Sequence, residues 1–290
     1  MRDLCRIDFV IQDGNDPEIN EEYIKHAVRF SPWLTVRTKF SIDSLAIKQP
    51  DPIYTLEDFV KSMTKAFESA LKSGMVAIKV NTAYNRTLSF DNVQTDAARK
   101  IFRALVNGND NFSMSYQSAK PLQDYMFHRL MDLARKHKIP VVVHTGLLAG
   151  NGNHINNSNP TLLTNIFREY KDVNFALFHG SYPFGGELST LAKTFRNVHI
   201  DMNWTYAISL SYSERYLNEW LEAVPAGKVM AFGGDYTNVE NIYGEMVIAR
   251  KVISNVLINK VKDGYLTELE AKNVARLILR DNAIRFYNLQ

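Results

Sequence analysis

The chain has 290 residues, of which 46% are hydrophobic and 22% charged, which is enough apolar material for one large core in a single domain spanning residues 1–290. The formal net charge is only +3, so neither nucleic acid nor another polyanion is expected as a partner. Charges interrupt the N-terminal stretch, and no run approaches the roughly 18 apolar residues of a membrane-spanning helix. We therefore predict no signal peptide and no membrane contact, and the single cysteine, Cys5, favours a reducing, cytoplasmic location.

Strand-like and helix-like segments alternate from the N-terminus onward. The pattern predicts strands over residues 4–11 and 34–40, with a helix over residues 18–30 between them. Thr55 is a candidate N-cap because the acid Asp58 follows three residues later, and a helix is predicted from there to about Ser73. Gly74 ends that helix, and a third strand is predicted over residues 75–80.

The second half of the chain continues the alternation after a long polar loop. Two helices are predicted in succession, and four further strands follow them. The C-terminal stretch is predicted to be mostly helical, with a break at Asp263 and Gly264 and a cap at Thr267. The predicted helices cover residues 95–107, 121–137 and most of 241–290, and the predicted strands cover residues 141–144, 175–179, 198–201 and 229–232.

Three of the predicted strands end in side chains that bind metals or transfer protons. His144 and His179 end two of the apolar runs, and Asp235 closely follows a third. These runs are apolar without alternation, as expected of parallel strands that are buried on both faces. In a closed barrel of parallel strands, such carboxyl ends meet at the mouth that holds the active site.

Alternating strands and helices favour a parallel α/β architecture, either a doubly wound sheet or a closed barrel. A doubly wound nucleotide binder carries a glycine-rich turn after its first strand, and the sequence IQDGN at 11–15 does not supply one. The barrel is therefore favoured. Only seven strand candidates are present, whereas a (β/α)8 barrel has eight.

Several runs together resemble the amidohydrolase superfamily, and within it the amidohydrolase-2 group. They are PVVVHTG at 140–146, FHGSYP at 178–183, FGGDY at 232–236 and ILRDNAIRFY at 278–287. The resemblance covers essentially the whole chain and implies a (β/α)8 TIM-type barrel. The group includes metal-dependent hydrolases, decarboxylases and relatives of uronate isomerase.

The resemblance implies a role for each strand-end residue. His144 would ligate a divalent metal, most often zinc, with manganese as the alternative. His179 would ligate the metal or orient the attacking water, and Asp235 would ligate the metal and act as general base. Lys79 stands where some superfamily members carry a carboxylated lysine, and we predict it as a substrate or structural residue.

One feature of the family is missing from the sequence. Members carry a His-x-His pair, or a variant with an acid first, on barrel strand one, and this chain contains no such pair. If residues 4–11 are barrel strand two, the missing strand and the missing ligands are the same piece of chain. We therefore expect a barrel that lacks its first strand, with residue 1 as an internal start.

Further residues near strand ends are candidates for substrate binding. If some of them point inward, a set of four cations would form a pocket for a carboxylate, and solvated charges or salt bridges are the alternative. The four are Arg37, Lys39, Lys79 and Arg86. Asn203 and Trp204 follow the sixth strand, where Trp204 would offer an aromatic face to a sugar ring or simply pack.

The sequence thus predicts a metal-dependent hydrolase acting on a small polar substrate, with carboxylate- and sugar-containing compounds as the classes considered. Decarboxylation or uronate-type isomerisation on the same site is one alternative. A non-catalytic binding or scaffold protein is the other. The expected partner is a small molecule, and homo-oligomerisation is left open.

Overall fold

The computed structural model describes residues 2–14, 22–47, 51–109 and 111–289. Within these ranges, seven strands form one sheet in which each strand pairs in parallel with the next along the chain. The strands are β1 Val10–Asp13, β2 Ile24–Arg29, β3 Met75–Val80, β4 Val141–Val143, β5 Phe175–Leu177, β6 Val198–Asp201 and β7 Val229–Met230.

Helices connect most of the strands and cover the outer face of the sheet. Parallel neighbours require a crossover connection, and the helices that supply it pack their apolar faces on outward-facing strand residues such as Ile78, Val141 and Val143. The helices are α1 Arg2–Cys5, α2 Ser31–Leu34, α3 Lys39–Ile47, α4 Leu56–Lys72, α5 Thr95–Val106, α6 Tyr116–His137, α7 Thr164–Glu169, α8 Gly185–Thr194, α9 Thr205–Ile208, α10 Leu210–Ala223, α11 Val239–Lys262, α12 Glu268–Arg276 and α13 Asn282–Phe286.

The inner face of the curled sheet is apolar in its lower part and polar at its mouth. Ala27, Ala77, Val142 and Ala176 form a buried inner cluster, and Phe286 of α13 packs against it. Because successive side chains of a strand point to opposite faces, the residues two positions further along also point inward, at the carboxyl ends of the strands. Those residues are Arg29, Lys79, His144 and Phe178.

The predicted fold class, a (β/α)8 TIM-type barrel without its first strand, is confirmed. Within the described ranges, β1 pairs only with β2 and β7 only with β6, so the curled sheet is open between β1 and β7. A closed barrel has no edges, and the opening lies where the first strand of an eight-stranded barrel would stand between its neighbours.

The C-terminal segment covers the edge of β7 that faces this opening. The Ala231 N–H donates to the Ile278 carbonyl at 2.7 Å, and Asn282 Nδ2 donates to the Val229 carbonyl at 2.8 Å. A π-helical turn, Leu277–Asp281, joins α12 to α13 at this point. Unpaired backbone groups on an edge strand invite association with other chains, and these contacts satisfy them within the chain.

The element predictions before residue 50 are partly wrong. The strand predicted over residues 4–11 begins only at Val10. Residues 18–21 lie outside the described part of the chain, but the rest of the helix predicted over 18–30 contains β2 instead. The strand predicted over 34–40 is replaced by the end of α2 and the start of α3.

These errors have two physical causes. Pairing with β1 and β3 makes a strand of a segment whose own sequence does not alternate, so tertiary context overrides the local pattern. A helix-capping signal was also missed, because the Ser41 N–H donates to Thr38 Oγ1 at 3.1 Å just where α3 begins.

From Thr55 onward, most predictions are confirmed. Thr55 Oγ1 accepts from the Asp58 N–H at 3.1 Å, and an Asp58 carboxylate oxygen accepts from the Thr55 N–H at 2.9 Å, so the capping box is present. β3 and β6 have their predicted bounds, and β4, β5 and β7 end one or two residues earlier than predicted. Among the described residues, no helix has the length and apolar character needed to cross a membrane.

Candidate metal centre

His144, His179 and Asp235 lie together at the mouth of the curled sheet. Each follows the carboxyl end of a strand, and the His144 N–H still donates to the Val80 carbonyl of β3 at 2.9 Å. His144 Nδ1 lies 3.0 Å from His179 Nε2, and His179 Nε2 lies 3.9 Å from Asp235 Oδ2. The three residues that the sequence singled out are therefore neighbours in space.

The backbone is left-handed at several of these strand ends. The φ angle is +63° at His179, +62° at Trp204 and +52° at Asp235. Side chains other than glycine rarely adopt this region, at a cost of about 1–3 kcal/mol per residue. Such strain persists only where the surrounding structure imposes it, and here it follows β5, β6 and β7, around the two histidines.

The two imidazoles each donate a hydrogen bond to the backbone. His144 Nε2 donates to the Leu147 carbonyl at 2.9 Å, and His179 Nδ1 donates to the Asn203 carbonyl at 3.1 Å. Carbonyl oxygens only accept, so these two nitrogens carry the ring protons. A neutral imidazole has one N–H, and consequently the nitrogens that face each other at 3.0 Å are both bare acceptors. Two acceptors at this distance repel each other unless a cation binds them.

Electrostatics keeps both rings neutral at neutral pH. Burial, with contributions from His179 and Lys79, lowers the pKa of His144 to about 3. Burial likewise lowers the pKa of His179 to about 3, with a contribution from Lys79. A proton shared between the rings is therefore disfavoured, which leaves a metal ion as the cation that suits the facing nitrogens. Histidine ligands at metal sites commonly donate their other nitrogen to a carbonyl in this way.

The geometry is close to that of a zinc site. Two imidazole nitrogens bound to tetrahedral zinc lie about 3.3 Å apart. The observed 3.0 Å is slightly shorter, so the rings would separate by a few tenths of an ångström. Asp235 would move in from 3.9 Å. Across residues 2–14, 22–47, 51–109 and 111–289, no three His, Cys, Asp or Glu side chains already form a cluster that could hold an ion. The two imidazoles fit a divalent cation, and the carboxylate completes the set only after it shifts.

Direct contact between two loops fixes the histidines relative to each other. Thr145 Oγ1 donates to the Phe178 carbonyl at 2.9 Å and lies 2.8 Å from Ser181 Oγ. Gly146 has φ +74°, and a Cβ there would lie 2.3 Å from the Tyr182 carbonyl oxygen. Only glycine fits this approach, so the loops after β4 and β5 are locked together.

Asn203 and Trp204, both predicted pocket residues, lie beside His179. The Asn203 N–H donates to Asp201 Oδ1 at 2.9 Å, and Asn203 Oδ1 is buried with no hydrogen-bond partner among the described residues. The Trp204 ring centre lies 5.5 Å from that of His179. Burial raises the pKa of Asp201, which accepts the hydrogen bond from the Asn203 N–H, to about 7.

Lys79 also lies at the mouth, with partners that the sequence did not reveal. Its side chain is only 2% exposed, and Nζ lies 3.1 Å from Asp13 Oδ2 and 4.0 Å from the Phe178 ring centre. Burial lowers the pKa of Lys79, against the charges of Asp13 and Asp235. Arg29 contacts the same carboxylate through Nε at 2.6 Å and Nη2 at 2.7 Å. Asp13 and Arg29 were missed because β1 was predicted to end at residue 11 and β2 was predicted as helix.

Tyr84 is another residue of the mouth that the sequence did not single out. Its ring centre lies 4.9 Å from that of His144, and its hydroxyl accepts from the Ala149 N–H at 3.1 Å. Burial raises the pKa of Tyr84, and the nearby charge of Asp235 adds to this. Tyr84 therefore covers one side of the candidate site.

The side chains of Arg86 and Arg37 pack against α6 and do not contact the two histidines. Arg86 Nη2 donates to Asp124 Oδ1 of α6 at 2.5 Å, and the pair is buried. The Arg37 guanidinium lies 4.1 Å from the ring centre of Tyr116, also in α6. Both guanidinium groups thus pack against α6, and the mouth receives its positive charge from other residues.

Comparison with known proteins gives a family and a set of similar folds. The family model described as amidohydrolase matches residues 44–289. A protein from Lactobacillus casei assigned as a metal-dependent hydrolase has a TM-score of 0.75 at 18% identity, covering 98% of this chain and 76% of that one. Glucuronate isomerase from Caulobacter crescentus has a TM-score of 0.78 at 15% identity, covering 100% of this chain and 66% of that one. Identities this low show a shared fold and nothing finer.

A longer protein matches part of the sequence. Protein fluG of Emericella nidulans is 30% identical over 176 residues, which is 59% of this chain and 20% of fluG. The matched region thus spans one fifth of that relative.

Proposed function

The chain belongs to the amidohydrolase family, and from that premise we propose that it is a metal-dependent hydrolase acting on a small polar substrate. The observation that carries the proposal is the pair of bare acceptor nitrogens on His144 and His179. A divalent cation suits neutral imidazole and carboxylate ligands, with zinc as the first choice and manganese as the alternative. When bound, it supplies Lewis-acid activation of water.

The residues at the mouth divide the remaining work. His144 Nδ1 and His179 Nε2 would hold the cation, and a backbone carbonyl keeps each ring in the required tautomer. Asp235 would complete the ligand set and, as general base, would accept a proton from the attacking water. The Asp235 side chain is 36% exposed, so its carboxylate has room to reach both the cation and the water.

Neighbouring groups bind and orient the substrate. After a small rotation of the buried Asn203 side chain, its unpartnered Oδ1 would accept a hydrogen bond from a substrate hydroxyl or amide. Trp204 offers an apolar face next to His179, and Lys79 contributes a buried positive charge. This division of roles is part of the same proposal.

Metal analysis of the purified full chain tests the proposal. After reconstitution with zinc or manganese and removal of free ion, we expect about one metal ion per chain. His179→Ala should lose the metal, whereas His154→Ala, which changes an exposed loop histidine, should keep it. No bound metal in the wild-type chain would instead favour the non-catalytic binding or scaffold protein.

Decarboxylation or uronate-type isomerisation on the same site is the alternative reaction. Both would use the same ligands, so metal content does not separate them from hydrolysis. Product analysis does: incubation with a panel of small amides, esters and acids should yield hydrolysis products. Release of carbon dioxide, or aldose-to-ketose conversion, without hydrolysis would assign the alternative reaction.

A further inference from the structure

Arg29, Asp13 and Lys79 form a row across the ends of three adjacent strands. Asp13 ends β1, Arg29 ends β2 and Lys79 lies near the end of β3. The Asp13 carboxylate lies between the two cations, within 2.6 Å of Arg29 Nε and 3.1 Å of Lys79 Nζ. Burial raises the pKa of Asp13, but the hydrogen bond from Arg29 and the charges of both cations hold it below its ordinary value. Asp13 therefore stays ionised and fixes the Arg29 side chain.

Arg29 is fixed on one edge and accessible on the other. Its Nε and Nη2 bind Asp13, and among the described residues no acceptor binds its Nη1. Its side chain is 48% exposed, in contrast to the buried Lys79. A guanidinium held in this way has little conformational freedom left to lose when it binds a ligand, which favours binding.

Arg29 points to the same inner face at the mouth as Lys79 and His144, because each stands two positions beyond a residue of the buried inner cluster. The hydrogen bond to Asp13 raises the pKa of Arg29, and the charge of Asp235 adds to this, so Arg29 stays charged. Tyr84 is in ring contact with His144. Lys79, which shares the Asp13 carboxylate with Arg29, lies over the Phe178 ring, and that ring contacts His179, so Arg29 belongs to the same mouth as the histidines.

The charge balance of the mouth favours an anion. The two positive charges of Arg29 and Lys79 are balanced by the two negative charges of Asp13 and Asp235. A divalent cation held by the histidines adds two positive charges that no described residue of this group balances. Fields of this kind concentrate ligands of the opposite charge.

We propose that Arg29 binds a carboxylate of the substrate, which makes the substrate class small organic acids. This inference rests on the proposed hydrolase function and adds a substrate class and a specificity-determining residue to it. The planar guanidinium donates to a carboxylate in a geometry that a lysine ammonium does not reproduce.

Matched pairs of acids and neutral amides test this assignment. Titration calorimetry on the zinc-loaded full chain would compare D-glucuronate with D-glucuronamide, benzoate with benzamide, and N-acetylglycine with its amide. We expect at least one acid to bind about tenfold or more tightly than its amide, since hydrogen bonds to charged groups are worth that much. Arg29→Gln should abolish the preference and Arg29→Lys should reduce it.

The variants need a control and a test of folding. Arg99→Gln removes an arginine that is also bound to carboxylates, Glu57 and Asp96, on the outer surface, and it should keep the preference for acids. In Arg29→Gln, Asp13 retains Lys79 as a partner, so we expect a cooperative thermal transition close to that of the wild type.

The outcomes separate this inference from the proposed function. Equal binding of acids and amides, or a preference for acids that survives Arg29→Gln, would overturn the role of Arg29. Arg29-dependent binding of inorganic phosphate that is tighter than that of every acid would overturn the carboxylate class. A third outcome is that the chain fails to retain zinc but the zinc-free chain still prefers acids through Arg29. That outcome would contradict the hydrolase proposal and support the carboxylate site at Arg29.

Discussion

The Nδ1 of His144 and the Nε2 of His179 face each other at 3.0 Å, while the second nitrogen of each ring donates to a backbone carbonyl. The fold has thereby selected the tautomer of both rings. Because both pKa values are lowered, both rings are free of an extra proton at neutral pH. A cation that arrives at this pair needs no proton to leave, which is the form of preorganisation that metal ligands require.

Asp235→Asn should abolish turnover and leave the fold intact. The variant keeps the shape of the side chain but loses the charge that binds the cation and the base that accepts a proton. For any substrate that the wild type hydrolyses, we expect kcat to fall at least about 100-fold, because general base catalysis alone contributes this much. The thermal unfolding midpoint should change little, and Asp263→Asn, beyond the end of α11, serves as the control. Activity near that of the wild type would remove Asp235 from the catalytic role.

Asp13 and Lys79 should show strong coupling in stability. Asp13→Asn leaves the buried Lys79 ammonium without its partner, so we expect a loss of about 3–5 kcal/mol in the free energy of unfolding. Lys79→Met should cost less, because Asp13 keeps Arg29. The double variant Asp13→Asn, Lys79→Met should lose less than the sum of the two single variants, with a coupling energy of about 1–3 kcal/mol in urea unfolding. Additive effects of the two changes would contradict a paired buried charge.

Glu245 should make stability fall as pH rises. Glu245 is only 4% exposed, and neither of its carboxyl oxygens has a hydrogen-bond partner among the described residues. Burial raises the pKa of this carboxyl to about 8. Below its ordinary pKa of 4.5 the group is protonated in both states and stability is fully retained. Between there and about 8 the unfolded chain loses the proton first, so the free energy of unfolding decreases with pH.

The matching variant is Glu245→Gln, which cannot ionise. Its unfolding midpoint should exceed that of the wild type near about pH 9, and the difference should shrink towards about pH 4. Glu240→Gln changes an exposed residue of the same helix and should show no such pH-dependent gain. A pH-independent difference for Glu245→Gln would contradict the raised pKa.

Asn282→Ala should weaken the closure of the β7 edge. The Asn282 amide donates to the carbonyls of Ala226 and Val229, both at 2.8 Å, and its removal leaves acceptors unsatisfied. We expect a loss of about 2 kcal/mol in the free energy of unfolding. Urea unfolding measures this, with Asn255→Ala, on the exposed face of α11, as the control. An unchanged midpoint would show that the edge does not depend on this contact.

The sequence predicted the strands after Thr55 because their local signals agree with their tertiary roles. Runs such as Val141–Val143 are apolar at every position, as a strand buried on both faces requires, and polar turns follow them. His144 and His179 could then be assigned to strand ends, and the structure places them side by side. The resemblance to the amidohydrolases depended on the same runs.

The features that the sequence did not predict depend on contacts between residues far apart in the chain, which a local sequence pattern does not reveal. Arg29 was hidden inside a predicted helix because the pairing of β2 with its neighbours decides its strand conformation. Arg86 follows β3, the strand that contains Lys79, yet its guanidinium pairs with Asp124 of α6, 38 positions along the chain. The tautomers of the two histidines depend on carbonyls in separate loops, which only the folded chain brings together.

X-ray absorption at the zinc edge of the zinc-loaded chain tests whether His144 and His179 bind the metal. We expect one zinc per chain with two imidazole nitrogens at about 2.0–2.1 Å and oxygen ligands completing the shell. His179→Ala should remove imidazole scattering or the zinc itself. A zinc environment without imidazole, or one that is the same in the wild type, His144→Ala and His179→Ala, would contradict the assignment of the facing nitrogens as the metal site.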